Sequence, residues 1–330
     1  MSHILLLGAG FSRNWGGWLA SEAFEYLLGC PEIACDVSLR QLLWKHQTTG
    51  GFENALAELQ KASPQGNEQQ LIALQAAVTH MFRDMNQAFF ELDEFELQTP
   101  AYLPRTIRTF LSKFDAIFTL NQDLLLEHHY LQNMHLVNKK KWNGPQLPGM
   151  NHVRNINIVD ADSWARSTWQ PLQEKDFKIE SKLQPFFKLH GSSNWTNTDN
   201  KSLLIMGGQK TRAIGQTPVL AWYAEQFDEY LARPQTKLMV IGYGFRDQHI
   251  NEAISKASTN GLKIFVIAPE GADLAMKLNS TRIVGQIGSP PTMEEELFNQ
   301  SLIGASRRPL REIFGNDTAE FNKVMRFFSA

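Results

Sequence analysis

Five short apolar runs, each halted by glycine or by a polar cluster, set the limits on how this chain folds. They are "HILLLGAG" (3–10), "DAIFTLNQD" (115–123), "PFFKLHGSSNW" (185–195), "KLMVIGYGFRDQHI" (237–250) and "GLKIFVIAPEG" (261–271). Unbroken apolar runs of this length are the signature of strands buried on both faces. Strands of that kind, alternating with helices, predict an α/β fold with a Rossmann-like parallel sheet covered on both sides. Such sheets bind ligands beyond the C-terminal ends of their strands, at the point where strand order reverses. The clusters at residues 8–12, 119–123, 190–191, 242–244 and 269–270 are therefore expected to converge on one pocket.

Helical spacing marks "WLASEAFEYLL" (18–28), then residues 37–62 and 67–98, where apolar side chains recur at three and four. The prolines of "TPAYLP" break that run before a further helix at 103–113. Residues 131–182, rich in Asn, Trp, Lys and Pro, read as irregular, and 291–301 and 308–329 as helical. The expected organisation is one binding domain over residues 1–285, carrying a helical insertion at about 37–113 and an irregular insertion at about 131–182, followed by a C-terminal helical extension over 286–330.

Composition narrows the function classes. With 43% hydrophobic and 20% charged residues the chain is that of a globular protein with a sizeable core. A net charge of −2 supplies no global positive field, so direct nucleic-acid binding is not expected; Lys139, Lys140 and Lys141 read as a solvated loop. Two cysteines, Cys30 and Cys35, do not make a four-ligand zinc site, and no metal is expected. Free thiols suit a reducing compartment, and no apolar run is long enough to span a bilayer, so the expectation is a cytoplasmic protein without a membrane partner.

Gly8 and Gly10 allow close approach of a pyrophosphate, and the helix that follows offers free N–H groups. The dehydrogenase pattern asks for a third small residue where this chain has Arg13, and for an acid ending the second strand, so hydride transfer is disfavoured. Asn121, Asp123 and His190 fall at strand ends, where an amide, a carboxylate and an imidazole together bind a ribose and activate a hydroxyl or water. Taken singly, each has a plainer reading: helix capping for the first two, a packed core residue for His190. Asp247 and His249 divide evenly between site residues and the start of a helix. Trp15 and Trp18 are a pocket wall or core, with packing the better reading for Trp18.

The ordered set "GAGFS" (8–12), "TLNQD" (119–123), "LHGSSNW" (189–195) and "VIGYGFRDQHIN" (240–251) resembles the SIR2 (sirtuin-like) NAD-binding family, in particular its bacterial anti-phage defence branch. The chain departs from protein-deacylating sirtuins: the four-cysteine zinc module has no counterpart, "NWGGWLA" (14–20) stands in place of their Ile-Pro-Asp-Phe-Arg stretch, and the interval from Asn121 to His190 is much longer. The resemblance implies an NAD+ glycohydrolase that cuts NAD+, its substrate, into nicotinamide and ADP-ribose. Asn121 would orient water and ribose, His190 would act as base on a ribose hydroxyl, and Asp123 would contact the carboxamide. Gly8, Ala9, Gly10, Phe11 and Ser12, with Thr119, Gly242 and Tyr243, would hold the dinucleotide, and Glu270 the adenosine ribose. It also implies control by self-association into a homo-oligomer, or by a regulatory partner encoded nearby: a HerA-type ATPase, an Argonaute-like protein or a nucleotide-processing protein. The alternatives are a sirtuin-type deacylase or ADP-ribosyltransferase, and a non-catalytic nucleotide-sensing module.

Overall fold

The computed structural model describes residues 1–62, 66–97, 105–133, 141–153, 166–208, 210–273 and 300–329. In chain order the strands are β1 (Ser2–Leu7), β2 (Ala116–Thr119), β3 (Gly144–Gln146), β4 (Met150–Val153), β5 (Thr168–Pro171), β6 (Leu183–Lys188), β7 (Gly191–Thr196), β8 (Ser202–Leu204), β9 (Thr236–Ile241), β10 (Lys263–Ile267) and β11 (Leu302–Ser306). The helices are α1 (Ala9–Ser12), α2 (Ala20–Gly29), α3 (Pro31–Ala34), α4 (Val37–His46), α5 (Gly51–Ala62), α6 (Glu68–Phe90), α7 (Ile107–Leu111), α8 (Lys210–Gly215), α9 (Pro218–Ala232), α10 (Gln248–Thr259), α11 (Leu310–Phe314) and α12 (Thr318–Met325).

Seven strands form one wholly parallel sheet in the order β11-β10-β9-β1-β2-β6-β3, flanked by helices. The fold is the α/β, Rossmann-like sheet that the apolar runs predict. With edge strand β3 set aside, β1, β2 and β6 run outward on one side and β9, β10 and β11 on the other, so the reversal lies between β1 and β9. Ile4 to Leu7 have no exposed surface, and the same holds for Ala116 to Phe118 and Leu238 to Val240. Burial on both faces is what makes these strands legible as unbroken apolar runs.

The helices between β1 and β2 cover one end of this core. In α6 the buried positions Leu74, Ala77, Val78, Met81, Phe82, Met85, Asn86 and Phe89 keep the three-and-four spacing, with one polar residue among them. The expected helix over 37–62 is two helices: α4 ends at His46, and Gly50 and Gly51, with φ of 121° and 62°, turn the chain into α5. The expected helix over 67–98 stops at Phe90, after which Phe95 turns inward and stacks on Trp15; residue 98 lies outside the described residues. That over 103–113 shortens to α7, capped by Thr106; residues 103 and 104 lie outside the described residues.

Residues 134–140 and 154–165 lie outside the described residues; the remaining residues of 131–182 are less irregular than expected. They contain β3, β4 and β5, and the last two join β7 and β8 in a second, four-stranded sheet, β4-β5-β7-β8. These strands are three or four residues long and hold Gly, Pro and Asn, so local preference does not reveal them. Tertiary pairing does: Trp169 opposes Trp195 in the ladder, and both are buried. Trp142 donates from Nε1 to the Ser112 carbonyl at 3.0 Å, and Lys141 pairs with Asp115 at 2.9 Å. Trp142 thus pins the segment to the end of α7 and Trp169 pins it to the second sheet; Lys139, Lys140 and Trp164 lie outside the described residues. Near the C-terminus, Leu302–Ser306 is not helical but strand β11, pairing with β10, and α11 and α12 follow it. Residues 291–299 of the expected helix lie outside the described residues.

Candidate functional site

The loops after β1 and β9 meet at the reversal point through their glycines. A Cβ on Gly242 would stand 2.3 Å from the Phe11 nitrogen, and one on Gly10 would stand 2.7 Å from the Gly242 Cα. Gly242 has φ of 66°, a conformation that disfavours any side chain. The N–H of Gly8 donates to the Ile241 carbonyl, that of Gly10 to Gly242, and that of Phe11 to Gly8, at 2.9 to 3.0 Å. These glycines therefore serve first to let two backbones touch.

Ser12 is where the first two strand ends join. The Asn121 amide nitrogen donates to the Ser12 hydroxyl at 3.0 Å, and that hydroxyl donates to Asp123 Oδ2 at 2.8 Å. Asp123 Oδ1 accepts from the Leu125 N–H at 3.1 Å, so both of its oxygens are engaged within the protein. The Asn121 N–H donates to Thr119 Oγ1 at 3.0 Å, which tightens the turn directly after β2. Burial pushes the Asp123 carboxyl up, while the Lys188 ammonium, Ser12 and the Leu125 N–H work against it. Beneath this loop Lys188, wholly buried, is ion-paired with Glu127 and donates to the Asp123 carbonyl at 2.6 Å. Glu127 opens a π-helical turn, Glu127–Leu131, and burial pushes its carboxyl up against the pull of Lys188.

His190 follows β6, the neighbour of β2. Gly191 after it has φ of 72°, and a Cβ there would lie 1.8 Å from the Leu203 carbonyl, so only glycine lets β7 and β8 close behind the histidine. Gln122 spans the gap, donating to the carbonyls of His190 at 3.0 Å and Ile205 at 2.6 Å. Asn86 of α6 accepts from the Leu124 N–H and donates to Ser193 Oγ, both at 2.9 Å, which ties the loops after β2 and β6 to the helical layer. Neither Gln122 nor Asn86 emerges from sequence reasoning, though a lone Asn on the apolar face of α6 is a usable signal.

On its other side His190 faces the start of α10. His190 Nε2 and His249 Nε2 are 3.3 Å apart. Lys210 pairs with Asp247 at 3.1 Å and with Glu53 of α5 at 2.6 Å. Burial, reinforced by the Lys210 ammonium, pushes His190 down to about 3, so its imidazole is neutral. Burial also lowers His249. It works against the Asp247 carboxylate, but the charges around Asp247, Lys210 among them, hold it below its ordinary range. Asp247 and His249 thus join the strand-end cluster besides opening a helix.

The remaining residues divide. Ser12, Thr119, Asp123 and His190 are buried, and Asn121 is half-buried. Phe11 packs on Trp15, whose Nε1 donates to the Phe95 carbonyl, so both belong to the core. The Tyr243 hydroxyl is buried against α10, accepting from the Asp247 N–H at 3.0 Å and donating to Asn251 at 3.0 Å. Trp18 packs against the core as expected, half-buried beside Tyr26, and its exposed side lines a cleft of about 490 Å³ with Arg13, Gly17 and Glu22. Glu270 follows β10, two strands from β1.

No curated protein matches the chain. A solved structure described as "Structural Basis for the Mechanism and Regulation of Sir2 Enzymes" is 14% identical, with a TM-score of 0.32, over 98% of this chain and 93% of its own. A family model described as SIR2-like domain matches residues 115–283, just over half of the chain, and that span holds Asn121, Asp123, His190, Gly242, Asp247 and His249. The first glycine loop lies before the matched span and reaches these residues through Ser12 and the β1–β9 pairing. With this match, the chain belongs to the SIR2-like domain family.

Proposed function

We propose that the chain is an NAD+ glycohydrolase, producing nicotinamide and ADP-ribose, and that it acts as a defence effector by depleting NAD+. The observation that carries this reading is the pairing of strand ends: Asn121, held through Ser12 on Asp123, stands after β2, and neutral His190 stands after the adjacent β6. Cleavage of the nicotinamide–ribose bond passes through an oxocarbenium-like state, as in other glycoside cleavage. The bonding pair moves to the pyridinium nitrogen, nicotinamide leaves neutral, and a water oxygen bonds to the anomeric carbon. The water proton is released to solvent, and neutral His190 accepts from a ribose hydroxyl. Leaving-group protonation is unnecessary, so the protein's task is to place one water and hold the ribose. Asn121 serves that task, while Asp123, with both oxygens engaged, orients Asn121 through Ser12.

Unrestrained activity would be lethal, and Ser12, Asp123 and His190 are only 3%, 8% and 3% exposed. Ribose access therefore requires movement, which supports control by a protein partner or by self-assembly. The test incubates the chain, alone and with its native partner complex, with NAD+ and follows nicotinamide and ADP-ribose, with and without an acylated peptide. Free ADP-ribose without peptide is expected. Peptide-dependent turnover would assign deacylation, and transfer of label to protein would assign ADP-ribosylation. Asn121→Ala and His190→Ala are each expected to lower cleavage by on the order of a hundredfold or more while the chain stays folded.

A further inference from the structure

We propose that His190, Asp247 and His249 form a site for one divalent transition-metal ion of the zinc class, separate in kind from any cysteine module. Their ligand atoms lie within 4.8 Å of one another. The two Nε2 atoms are 3.3 Å apart, and ligands bound to zinc at about 2.0–2.1 Å in a tetrahedron are separated by about 3.3–3.4 Å. The histidine nitrogens already hold the edge that a tetrahedral ion needs.

Three features of the chain produce this. Gly191 fixes the backbone directly after His190 against β8. Asp247 stands before α10 with extended φ and ψ of −89° and 107°, and His249 follows in the first turn. The Tyr243 hydroxyl and the Asn251 side chain anchor that turn, Asn251 donating to the Phe245 carbonyl at 2.8 Å. Two imidazole nitrogens and one carboxylate select zinc, cobalt or nickel over magnesium and calcium, which prefer all-oxygen sets.

Lys210 is the built-in competitor. Its ammonium holds Asp247 at 3.1 Å, so the carboxylate must swing off Lys210 to close on an ion. Glu53, at 2.6 Å from Lys210, keeps the ammonium paired when that happens. Binding is therefore a switch of partner for Asp247 rather than the filling of a finished cage. On the NAD+ reading above, which this consequence rests on, an ion bound by His190 Nε2 removes the base and inhibits cleavage.

The test titrates cobalt(II) into the full chain, stripped with a chelator and dialysed, and reads the visible ligand-field bands of four-coordinate cobalt; zinc is titrated in parallel by calorimetry. One ion per chain is expected, with intense bands. His249→Ala and Asp247→Asn are each expected to weaken binding by on the order of tenfold or more, and Lys210→Met to tighten it. Circular dichroism melts confirm that each variant is folded. Folded wild-type chain without bands, bands unchanged in both ligand variants, or no gain in affinity in Lys210→Met would overturn the site. Zinc inhibition of NAD+ cleavage, reversed by chelator, supports both readings. Bands without inhibition support the site and count against His190 as the base.

Discussion

Lys188 and Glu127 form an ion pair with essentially no solvent contact: their side chains are 0% and 2% exposed. The lysine comes from the strand that leads to His190, and the glutamate from the turn that follows Asp123. Because Lys188 also donates to the Asp123 carbonyl, one ammonium ties the turn after β2 to β6 beyond the ladder between the two strands. Removing one partner strands a buried charge, which costs about 3–5 kcal/mol, whereas replacing both with apolar residues is often close to neutral. Lys188→Met should therefore lose stability on that scale in urea unfolding, and Lys188→Met with Glu127→Leu should recover most of it. If turnover fails to return with stability in the double variant, the pair positions the site as well as supporting it.

The glycine contact between the β1 and β9 loops makes a sharper prediction. Gly242→Ala places a Cβ 2.3 Å from the Phe11 nitrogen at a φ of 66°, so backbone must move. Gly16 has φ of 91° but nothing within 4 Å of a Cβ, so Gly16→Ala carries only the conformational cost of about 1–2 kcal/mol. Gly242→Ala should be the more damaging in thermal melts, and should impair NAD+ binding where the chain still folds. Equal effects would show that the loops part easily.

Much of this arrangement is visible in the amino-acid order. Ile4–Leu7, Ala116–Phe118 and Leu238–Val240 are buried on both faces, so each appears as an unbroken apolar run whose end marks a strand end. The pattern fails where tertiary contacts decide. The short strands β3, β4 and β5 carry little local preference, and β11 is a five-residue run containing a glycine. Asn86 and Lys210 lie outside the motifs, and only folding brings Asn86 to Leu124 and Ser193, Lys210 to Asp247, and Glu53 to Lys210. Asp247 is ambiguous in sequence because Asp suits both a helix N-cap and a site, and His249 because it falls in the first turn of that same helix.

A pH dependence follows from Asp36, the N-cap of α4. It accepts from the Leu39 N–H at 2.9 Å and from Gln70 of α6, and the Leu39 bond, partly offset by burial, holds its carboxyl below the usual range. A carboxyl lowered on folding contributes stability that is present above its unfolded value of about 3.9 and is lost as pH falls through the folded value. Asp36→Asn keeps a capping oxygen but not the charge. Wild type should exceed Asp36→Asn in stability at neutral pH, and the gap should close below about pH 4. A gap constant down to pH 3, well below the unfolded value, would contradict the assignment.

Asn86 links the helical layer to both motif loops and offers the clearest separation of structure from function. Its side-chain oxygen takes the Leu124 N–H, one bond from Asp123, and its nitrogen reaches Ser193, three residues past His190. Asn86→Leu removes both bonds and leaves the Leu124 N–H unpaired in a buried setting, which costs about 1–3 kcal/mol. Asn86→Asp keeps an acceptor for Leu124 and accepts from the Ser193 hydroxyl if that rotor turns. If the two bonds hold Asn121 and His190 at their working separation, Asn86→Leu should lower the rate constant of NAD+ cleavage by on the order of tenfold or more, beyond any loss of folded protein. Asn86→Asp should recover a large part of it. Steady-state kinetics at saturating NAD+, at a temperature where melts show every variant folded, measure the difference. Full turnover in folded Asn86→Leu would show that the two strand ends keep their spacing without Asn86.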